Sequence, residues 1–256
     1  MAGHFSVLLY KETTFAWGGG GGDGRNLLVG EVKNKKVGKK NKLERFAECK
    51  TFDNLFEYSF ERVKEEGFPL KGHWHEFFGN NNPIVLELGC GKGEYTIGLA
   101  KVHPEVNYIG VDIKGARMWV GLKQGIAEGL KNVAFVRTRI ELIEHFFGEN
   151  EVDEIWITFP DPQILKARKR LTAPIYLERY KTFLKENSYI NLKTDSDLLY
   201  DFTLEVVKEA GYPIIYNYTD LYANDDELEV KTIRTYYESM WLKQGLTIKY
   251  LKFKVK

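Results

Sequence analysis

The chain has 256 residues, of which 43% are hydrophobic, so it can bury the core of one large domain. Its 37 basic and 36 acidic residues nearly cancel, which excludes net charge as an argument for or against nucleic-acid binding. Two cysteines, and no apolar run near the roughly 20 residues that cross a bilayer, exclude a disulfide framework and a membrane span and predict a cytoplasmic protein.

The first part of the chain differs in composition from the rest. Residues 1–37 contain the run GGGGGDG, and glycine loses more backbone freedom on folding than any other residue, so we predict a flexible leader. The basic stretch EVKNKKVGKKNKLERF overlaps its end, and this stretch is either a solvated arm or a phosphate-binding tail. We predict a basic, helical extension over residues 38–83 and the main domain over residues 84–256.

From residue 84 onward, short apolar runs alternate with amphipathic segments. Seven strands are predicted, at Ile84–Leu88, Asn107–Val111, Val133–Val136, Glu154–Thr158, Ser188–Leu192, Pro213–Tyr216 and Thr247–Val255. Helices are predicted between them, over Glu94–Lys101, Lys114–Gly129, Glu141–Phe147, Leu171–Lys185 and Asp197–Ala210. Repeated strand–helix units indicate an α/β fold in which a mostly parallel sheet carries helices on both faces.

The first predicted strand runs into a glycine-rich turn, in which Gly89, Gly91 and Gly93 alternate with other residues. Glycines at a strand-to-helix turn let the backbone approach a ligand closely. A dinucleotide fingerprint needs a third glycine at position 94, which is Glu94 here. Glu87 precedes the turn, where its charge would repel a diphosphate and attract the cationic groups of S-adenosylmethionine. We therefore predict that Glu87 and the three glycines bind S-adenosylmethionine.

The second predicted strand ends next to Asp112. In doubly wound folds, a carboxylate at this position accepts hydrogen bonds from both ribose hydroxyls of an adenosine. The combination of an acidic residue, a turn of alternating glycines and an acidic second-strand terminus about 20 residues later is more specific than the glycines alone. It predicts Asp112 as a second cofactor ligand.

The fourth predicted strand ends in the loop TFPDP, whose two prolines restrict the backbone. This loop projects Asp161 from the carboxyl end of a strand, where open α/β sheets bind their ligands. Four cations follow within five positions, Lys166, Arg168, Lys169 and Arg170. They are either a solvated helix face or a grip on phosphates, and the adjacent cofactor motif favours the second interpretation.

Two further polar groups follow the fifth strand and precede the last strand. Asp195 ends the group KTD, whereas Thr235 and Glu238 delimit the group TYYE. All three residues could be ordinary helix caps, although the carboxyl edge of the sheet favours a ligand contact for Asp195. The five histidines form no metal pattern in the sequence.

With these motifs in place, residues 38–256 resemble the bacterial, single-chain tRNA (guanine-N7)-methyltransferase family. The resemblance rests on ELGCGKGEYT, GVDIKGAR, TFPDP with its basic follow-on, KTDSD, and TYYE before a lysine-rich end. It implies a Rossmann-like class I methyltransferase fold, a seven-stranded sheet with an antiparallel last strand, and a guanosine in the variable loop of tRNA as the target. It leaves monomer and homodimer open, and it implies neither a metal nor a membrane partner.

Carried over by position, the resemblance assigns roles to individual residues. Asp161 would lie beside the methyl-accepting guanine and the cofactor and act in catalysis. The implied substrate contacts are Lys166, Asp195, Thr235 and Glu238. Arg139 stands where the family often has an acidic or amide residue, so the adenine contact would come from Arg139 or from backbone amides near Ile140.

Three other functions remain open at this point. A methyltransferase for a protein or a small molecule would keep Glu87 and Asp112 but leave the cations after Asp161 unexplained. A non-catalytic RNA-binding module would have no need of an intact glycine turn. A nicotinamide enzyme is disfavoured because Glu94 replaces the glycine that its fingerprint requires.

Overall fold

The computed structural model describes residues 41–223 and 228–256. Over these ranges the chain forms one sheet, with β1 (Leu55–Glu57), β2 (Ile84–Leu88), β3 (Asn107–Asp112), β4 (Val133–Arg137), β5 (Val152–Thr158), β6 (Leu184–Thr194), β7 (Ile214–Tyr218) and β8 (Lys249–Lys254). The leader predicted over residues 1–37, and most of the lysine-rich stretch, lie outside the described residues.

The helices are α1 (Lys42–Cys49), α2 (Phe60–Glu66), α3 (Trp74–Phe78), α4 (Glu94–Val102), α5 (Gly115–Ala127), α6 (Pro174–Lys181), α7 (Asp197–Glu209) and α8 (Tyr236–Lys243). The segment predicted as a helix over Glu141–Phe147 is instead a 3₁₀ helix, Ile140–His145. The helix predicted from Leu171 begins at Pro174, because proline is favoured in the first turn, and it ends before β6. No helix in the described ranges combines the length and apolar character needed to span a membrane.

The strand order is β1-β4-β3-β2-β5-β6-β8-β7. All neighbours from β1 to β6 are parallel, whereas β8 lies antiparallel between β6 and β7. The predicted mostly parallel sheet and its antiparallel last strand are therefore confirmed. The described sheet has eight strands rather than the seven predicted, because β1 pairs with β4 at the edge. β1 has only three residues, too few to show an alternating pattern.

Two hydrophobic clusters cover the two faces of the sheet. Along β4, Ala134 and Val136 belong to one cluster, whereas Val133 and Phe135 belong to the other, as strand alternation requires. Helices α6 and α7 pack on the first face and α4 and α5 on the second, so the prediction of helices on both faces is confirmed.

Described residues of the predicted extension over residues 38–83 contribute to the sheet and its core. It supplies the edge strand β1, and Trp74 from α3 is fully buried in the core. The Trp74 indole donates a hydrogen bond to the carbonyl of Phe146, 3.0 Å away. The described residues from 41 onward accordingly form a single compact unit.

Candidate active site

The chain changes direction across the sheet between β2 and β5. From β2 it continues to β3 on one side, and from β5 to β6 on the other. Open α/β sheets bind ligands at such a switch point, outside the carboxyl ends of the strands. A cavity of about 330 Å³ opens there, and the ends of β2, β3 and β5 supply part of its lining.

The glycine-rich turn forms one side of this cavity. Gly89, Gly91 and Gly93 have φ values of 73°, 57° and 71°, in the left-handed region that favours glycine. Gly89 and Gly91, two of the three glycines predicted to bind the cofactor, line the cavity. Gly93 does not line it: a β-carbon there would lie 2.7 Å from the ring of Phe135. Gly93 is thus needed for close packing beneath the turn and for the start of α4.

Asp112, at the end of β3, fixes the shape of this turn. One carboxylate oxygen accepts a hydrogen bond from the Gly91 amide at 2.9 Å, and the other accepts one from the Lys114 amide at 2.7 Å. The side chain also lines the cavity. A carboxylate oxygen can accept more than one hydrogen bond, so Asp112 retains acceptor capacity for hydroxyl groups of a ligand.

Glu87 lies at the floor of the cavity with only 5% of its surface exposed. Its carboxylate accepts hydrogen bonds from the Thr96 amide at 2.8 Å and the Thr158 hydroxyl at 2.7 Å. Burial raises the pKa of Glu87 to about 7, and the bonds from Thr96 and Thr158 oppose that rise. A buried carboxylate that is costly to ionise is a favourable partner for a cationic ligand.

A second hollow adjoins the cavity and shares Gly89 and Asp112 with it. Thr138, Arg139 and Ile140 line this hollow, beyond the end of β4. The two spaces meet at Asp112, so an elongated ligand could run from Glu87, past Asp112, to Ile140. S-adenosylmethionine fits this arrangement: its cationic end can lie at Glu87, its ribose hydroxyls at Asp112 and its adenine in the partly apolar hollow at Ile140.

Asp161 lies on the loop after β5 and lines the cavity with its carboxylate exposed to solvent. Phe159 and Gln163, on either side, adopt left-handed conformations with φ of 48°, which are uncommon for residues other than glycine. Hydrogen bonds hold this strained loop: the Gln163 amide donates to Asp161 at 2.9 Å, and the Phe159 amide donates to the Lys193 carbonyl at 2.8 Å.

The four cations after this loop differ in their exposure to solvent. Lys166, Arg168 and Lys169 are exposed. Arg170 is buried, with 5% exposure, and its guanidinium donates to the Pro162 carbonyl at 3.0 Å. The prediction that all four cations face phosphates is therefore wrong for Arg170, which holds the loop from inside.

Thr235 and Tyr237 contribute another part of the cavity lining. Thr235 also caps α8: its hydroxyl accepts from the Glu238 amide at 3.2 Å, and the Glu238 carboxylate accepts from the Thr235 amide at 3.3 Å. Glu238 has no exposed surface and forms an ion pair with Lys193 at 2.7 Å. Of the two residues predicted to contact substrate here, the structure brings Thr235 to the cavity and keeps Glu238 beneath the surface.

The remaining predicted substrate residues lie nearby but not on the cavity wall. Lys166 lines the second hollow. Asp195 is half-buried just after β6, and its carbonyl accepts a hydrogen bond from Lys249 at 3.1 Å. Residues that the sequence did not single out do line the cavity, among them Thr158 and Tyr237. Thr158 could have been found from its place at the end of β5, beside the end of β2 that carries Glu87.

The segment around Trp74 forms the short helix α3, with His73 at its N-cap. The rings of His73 and His75 approach each other, with their centroids 6.0 Å apart. The Nδ1 atom of His73 lies 3.1 Å from the carboxylate of Glu76. These three side chains are exposed, and together they could reach a single ion.

Comparison with known proteins places the chain in a family. A family model described as "Putative methyltransferase" matches residues 81–251. The chain is 53% identical over 215 residues to a tRNA (guanine-N(7)-)-methyltransferase of Bacteroides fragilis, covering 84% of this chain and 85% of that protein. The identity is 55% over 207 residues with the Porphyromonas gingivalis protein of the same name, with coverages of 79% and 85%.

Solved structures resemble the chain in fold. The 16S rRNA methyltransferase KamB aligns with a TM-score of 0.55 at 15% identity, over 70% of this chain and 91% of that one. The 16S rRNA (adenine(1408)-N(1))-methyltransferase from Catenulisporales acidiphilia aligns with a TM-score of 0.51 at 18% identity, over 70% and 90%. The fold is thus that of the class I methyltransferases, and the sequence relatives show that the chain belongs to the tRNA (guanine-N(7)-)-methyltransferase family.

Proposed function

We propose that this chain transfers a methyl group from S-adenosylmethionine to N7 of a guanosine in the variable loop of tRNA, in the cytoplasm. One observation carries the proposal: a single cavity at the switch point has the buried acid Glu87 on its floor and the exposed carboxylate of Asp161 on its wall. The relatives that bear this activity in their names support it, because they share about half of their residues with the chain.

The cofactor would lie along the carboxyl ends of β2, β3 and β4, and when bound it supplies an electrophilic methyl group on a positively charged sulfur. Glu87 would accept hydrogen bonds from its ammonium group, and Asp112 from its ribose hydroxyls. The adenine would lie in the second hollow beside Arg139 and Ile140, where Ile140 offers an apolar surface and the backbone offers hydrogen bonds.

The reaction requires the protein to align the guanine with the methyl donor and does not require proton transfer. N7 of guanine has an in-plane lone pair and no proton, so no general base is required. Asp161 would accept hydrogen bonds from the guanine N1–H and exocyclic amine, which fixes the base in the plane of attack. The carboxylate also stabilises the positive charge that the ring acquires as the methyl group arrives.

The exposed cations beside the cavity would bind the RNA backbone. Lys166, Arg168 and Lys169 follow the Asp161 loop, and two of them also line the cavity or the adjoining hollow. Each phosphate contact releases condensed counterions, so binding should weaken steeply with salt. An irregular RNA loop exposes a guanine edge more readily than an A-form helix does, which suits a target in the variable loop.

The experiment is methylation of bulk tRNA with labelled S-adenosylmethionine, followed by digestion and nucleoside analysis. The proposal predicts 7-methylguanosine as the labelled product, because N7 is the ring nitrogen on the major-groove edge of guanine and its lone pair carries no proton. Label at any other atom would overturn the choice of acceptor. Label in protein or small molecules, and none in tRNA, would support the competing class of methyltransferase.

Binding of tRNA at increasing salt provides a second discrimination. The proposal predicts a steep loss of affinity, and the Lys169→Ala variant should lower the slope of log affinity against log salt by about one. Lys208→Ala, an exposed lysine on α7, is the matched control and should leave the slope unchanged. Equal slopes for all three proteins would contradict a role of Lys169 in phosphate binding.

A further inference from the structure

A buried ion pair lies behind the cavity. Lys193, near the end of β6, and Glu238, in α8, have no exposed surface, and their charged atoms are 2.7 Å apart. Burial lowers the pKa of Lys193 to about 8, and the attraction of Glu238 opposes that change. Removing two charges from water is expensive, and well-packed apolar side chains are often as stable in such a place. Stability alone is therefore a weak reason for this pair.

Every hydrogen-bond donor of the Lys193 ammonium group is directed at one segment. The three donors have three acceptors: the Glu238 carboxylate at 2.7 Å, the Val230 carbonyl at 2.7 Å and the Ile233 carbonyl at 3.3 Å. All three acceptors lie within residues 230–238. That segment also contains Thr235 and Tyr237, which line the cavity. The side chain of Lys193 thus ties this part of the cavity wall to the end of β6.

The main chain of the same residue holds the other part of the wall. The Lys193 carbonyl accepts the hydrogen bond from the Phe159 amide at 2.8 Å. Phe159 is strained, with φ of 48°, and it lies two residues before Asp161. Lys193 is therefore the residue at which the Asp161 loop and the Thr235–Tyr237 segment are joined.

We propose that Lys193 is a positioning residue, which sets the Thr235–Tyr237 segment against the Asp161 loop and so aligns the acceptor base with the methyl donor. Glu238 is its counter-ion and acts on the substrate only through this segment. The inference rests on the proposed function, because alignment matters only if a base is held between these two parts. A misplacement of about 1 Å in such a site can lower the rate by about 100-fold.

The test compares Lys193→Met with the double variant Lys193→Met/Glu238→Gln, using the full chain. Lys193→Met leaves the buried charge of Glu238 without its partner, so the thermal unfolding midpoint of this variant should fall. The double variant removes both charges, and glutamine at position 238 can still complete the capping box of α8 with Thr235, so the midpoint should recover. If Lys193 acts by positioning, the single-turnover rate of methyl transfer should remain about 100-fold lower in both variants.

Cofactor affinity supplies the readout that separates positioning from general damage. The hydrogen bonds of Lys193 described above go to Phe159 and to residues 230–238, which contain no predicted cofactor ligand, so calorimetry should give nearly the wild-type Kd for S-adenosylmethionine in the double variant. A rate that returns to the wild-type value together with the unfolding midpoint would overturn the proposal. So would a rate that falls only in proportion to cofactor affinity.

A matched control lies on the same strand. Ile190 is fully buried and belongs to the core on the first face of the sheet, so Ile190→Ala should lower the unfolding midpoint without changing the rate per folded molecule. If Lys193→Met does not fold, the double variant carries the test alone. Each rate is compared with that of the wild-type protein on the acceptor that the wild-type protein methylates. An acceptor other than guanosine N7 would therefore contradict the proposed function, and the comparison of rates would still test the role of Lys193.

Discussion

The two walls of the cavity are built in different ways. The cofactor wall (Glu87, Gly89, Gly91 and Asp112) is held mostly by hydrogen bonds between residues no more than 21 positions apart, from the Gly91 and Lys114 amides to Asp112 and from Thr96 to Glu87. The bond from Thr158 to Glu87 is its one long-range hydrogen bond among those described above. The substrate wall (Asp161, Thr235 and Tyr237) depends on distant contacts, above all those of Lys193 with Phe159 and with residues 230–238. The cofactor wall is a local structure, whereas the substrate wall is assembled by the tertiary fold.

This difference has a functional consequence. A locally held wall can keep its shape when the distant segment moves, so cofactor binding and methyl transfer should respond to different substitutions. Changes in the cofactor wall should alter affinity for S-adenosylmethionine, and changes in the substrate wall should alter the rate or the affinity for tRNA. The predictions below test that separation.

The largest effect is expected for Asp161→Asn. Loss of the carboxylate removes a stabilising charge from the transition state, so the single-turnover rate should fall by about 10²–10³-fold. The Kd for S-adenosylmethionine, measured by calorimetry, should stay close to the wild-type value. Asp53→Asn makes the same change at an exposed site away from the cavity and should leave both quantities unchanged. Lost cofactor binding with unchanged chemistry in Asp161→Asn would show that this residue belongs to the cofactor wall.

Asp112→Asn should change the affinity for S-adenosylmethionine rather than the rate of methyl transfer. The variant replaces a charged acceptor of hydroxyl and amide hydrogens by an amide, so the Kd for S-adenosylmethionine should rise by about 10–100-fold. At saturating cofactor the single-turnover rate should return to nearly the wild-type value. A rate that stays low at saturation would mean that Asp112 also serves the transition state.

An effect of similar size is expected for Tyr237, which is 43% exposed and lines the cavity. An aromatic ring in this position can stack on the target base, and such stacking contributes about 1–3 kcal/mol. Tyr237→Ala should therefore raise the KM for tRNA by about 5–150-fold, whereas Tyr237→Phe should keep most of the affinity. The neighbouring Tyr236 does not line the cavity, so Tyr236→Ala is the matched control. Equal losses for the two alanine variants would remove the case for stacking by Tyr237.

The smallest expected effect is the number of protons released when S-adenosylmethionine binds. Burial raises the pKa of Glu87 to about 7 in the unliganded protein, so its neutral form favours the fold at low pH, and that contribution is lost as the pH rises from about 4.5 through about 7. A bound ammonium group favours the ionised form instead. Glu87 should thus release close to one proton on binding of S-adenosylmethionine near pH 6, and its contribution should fall to almost none near pH 8.

Calorimetry in buffers of different ionisation heat measures this release. Glu87→Gln has no carboxyl proton to lose and should abolish it, whereas Asp53→Asn should preserve it. Release that is equal at both pH values, or that persists in Glu87→Gln, would assign the proton to another group.

The contrast between the walls also explains what the sequence could predict. Glu87, Gly89, Gly91 and Asp112 are predicted from a strand, a glycine turn and a second strand end, and the pairing of two strands that follow each other in the chain brings them together. Glu238 was predicted as a substrate contact from its motif, but its burial depends on Lys193, 45 positions earlier, and no local pattern encodes that pairing.

The fold follows the same division. Strands β2 to β8 were predicted because each has an apolar run or an alternating pattern. The edge strand β1 was missed because three half-buried residues carry no periodicity, and its pairing with β4 is a tertiary contact. Arg170 was grouped with its exposed neighbours because charge alone does not indicate burial; its contact with the Pro162 carbonyl arises only when the loop folds back.

The separation of the two walls is tested most directly by a double-mutant cycle on Asp112 and Asp161. The free energies of transition-state stabilisation, taken from kcat/KM for the cofactor at saturating tRNA, should be additive within about 0.5 kcal/mol for Asp112→Asn, Asp161→Asn and the combined variant. A coupling energy well above that value would contradict the account, because it would mean that the two carboxylates act as one unit on the same ligand.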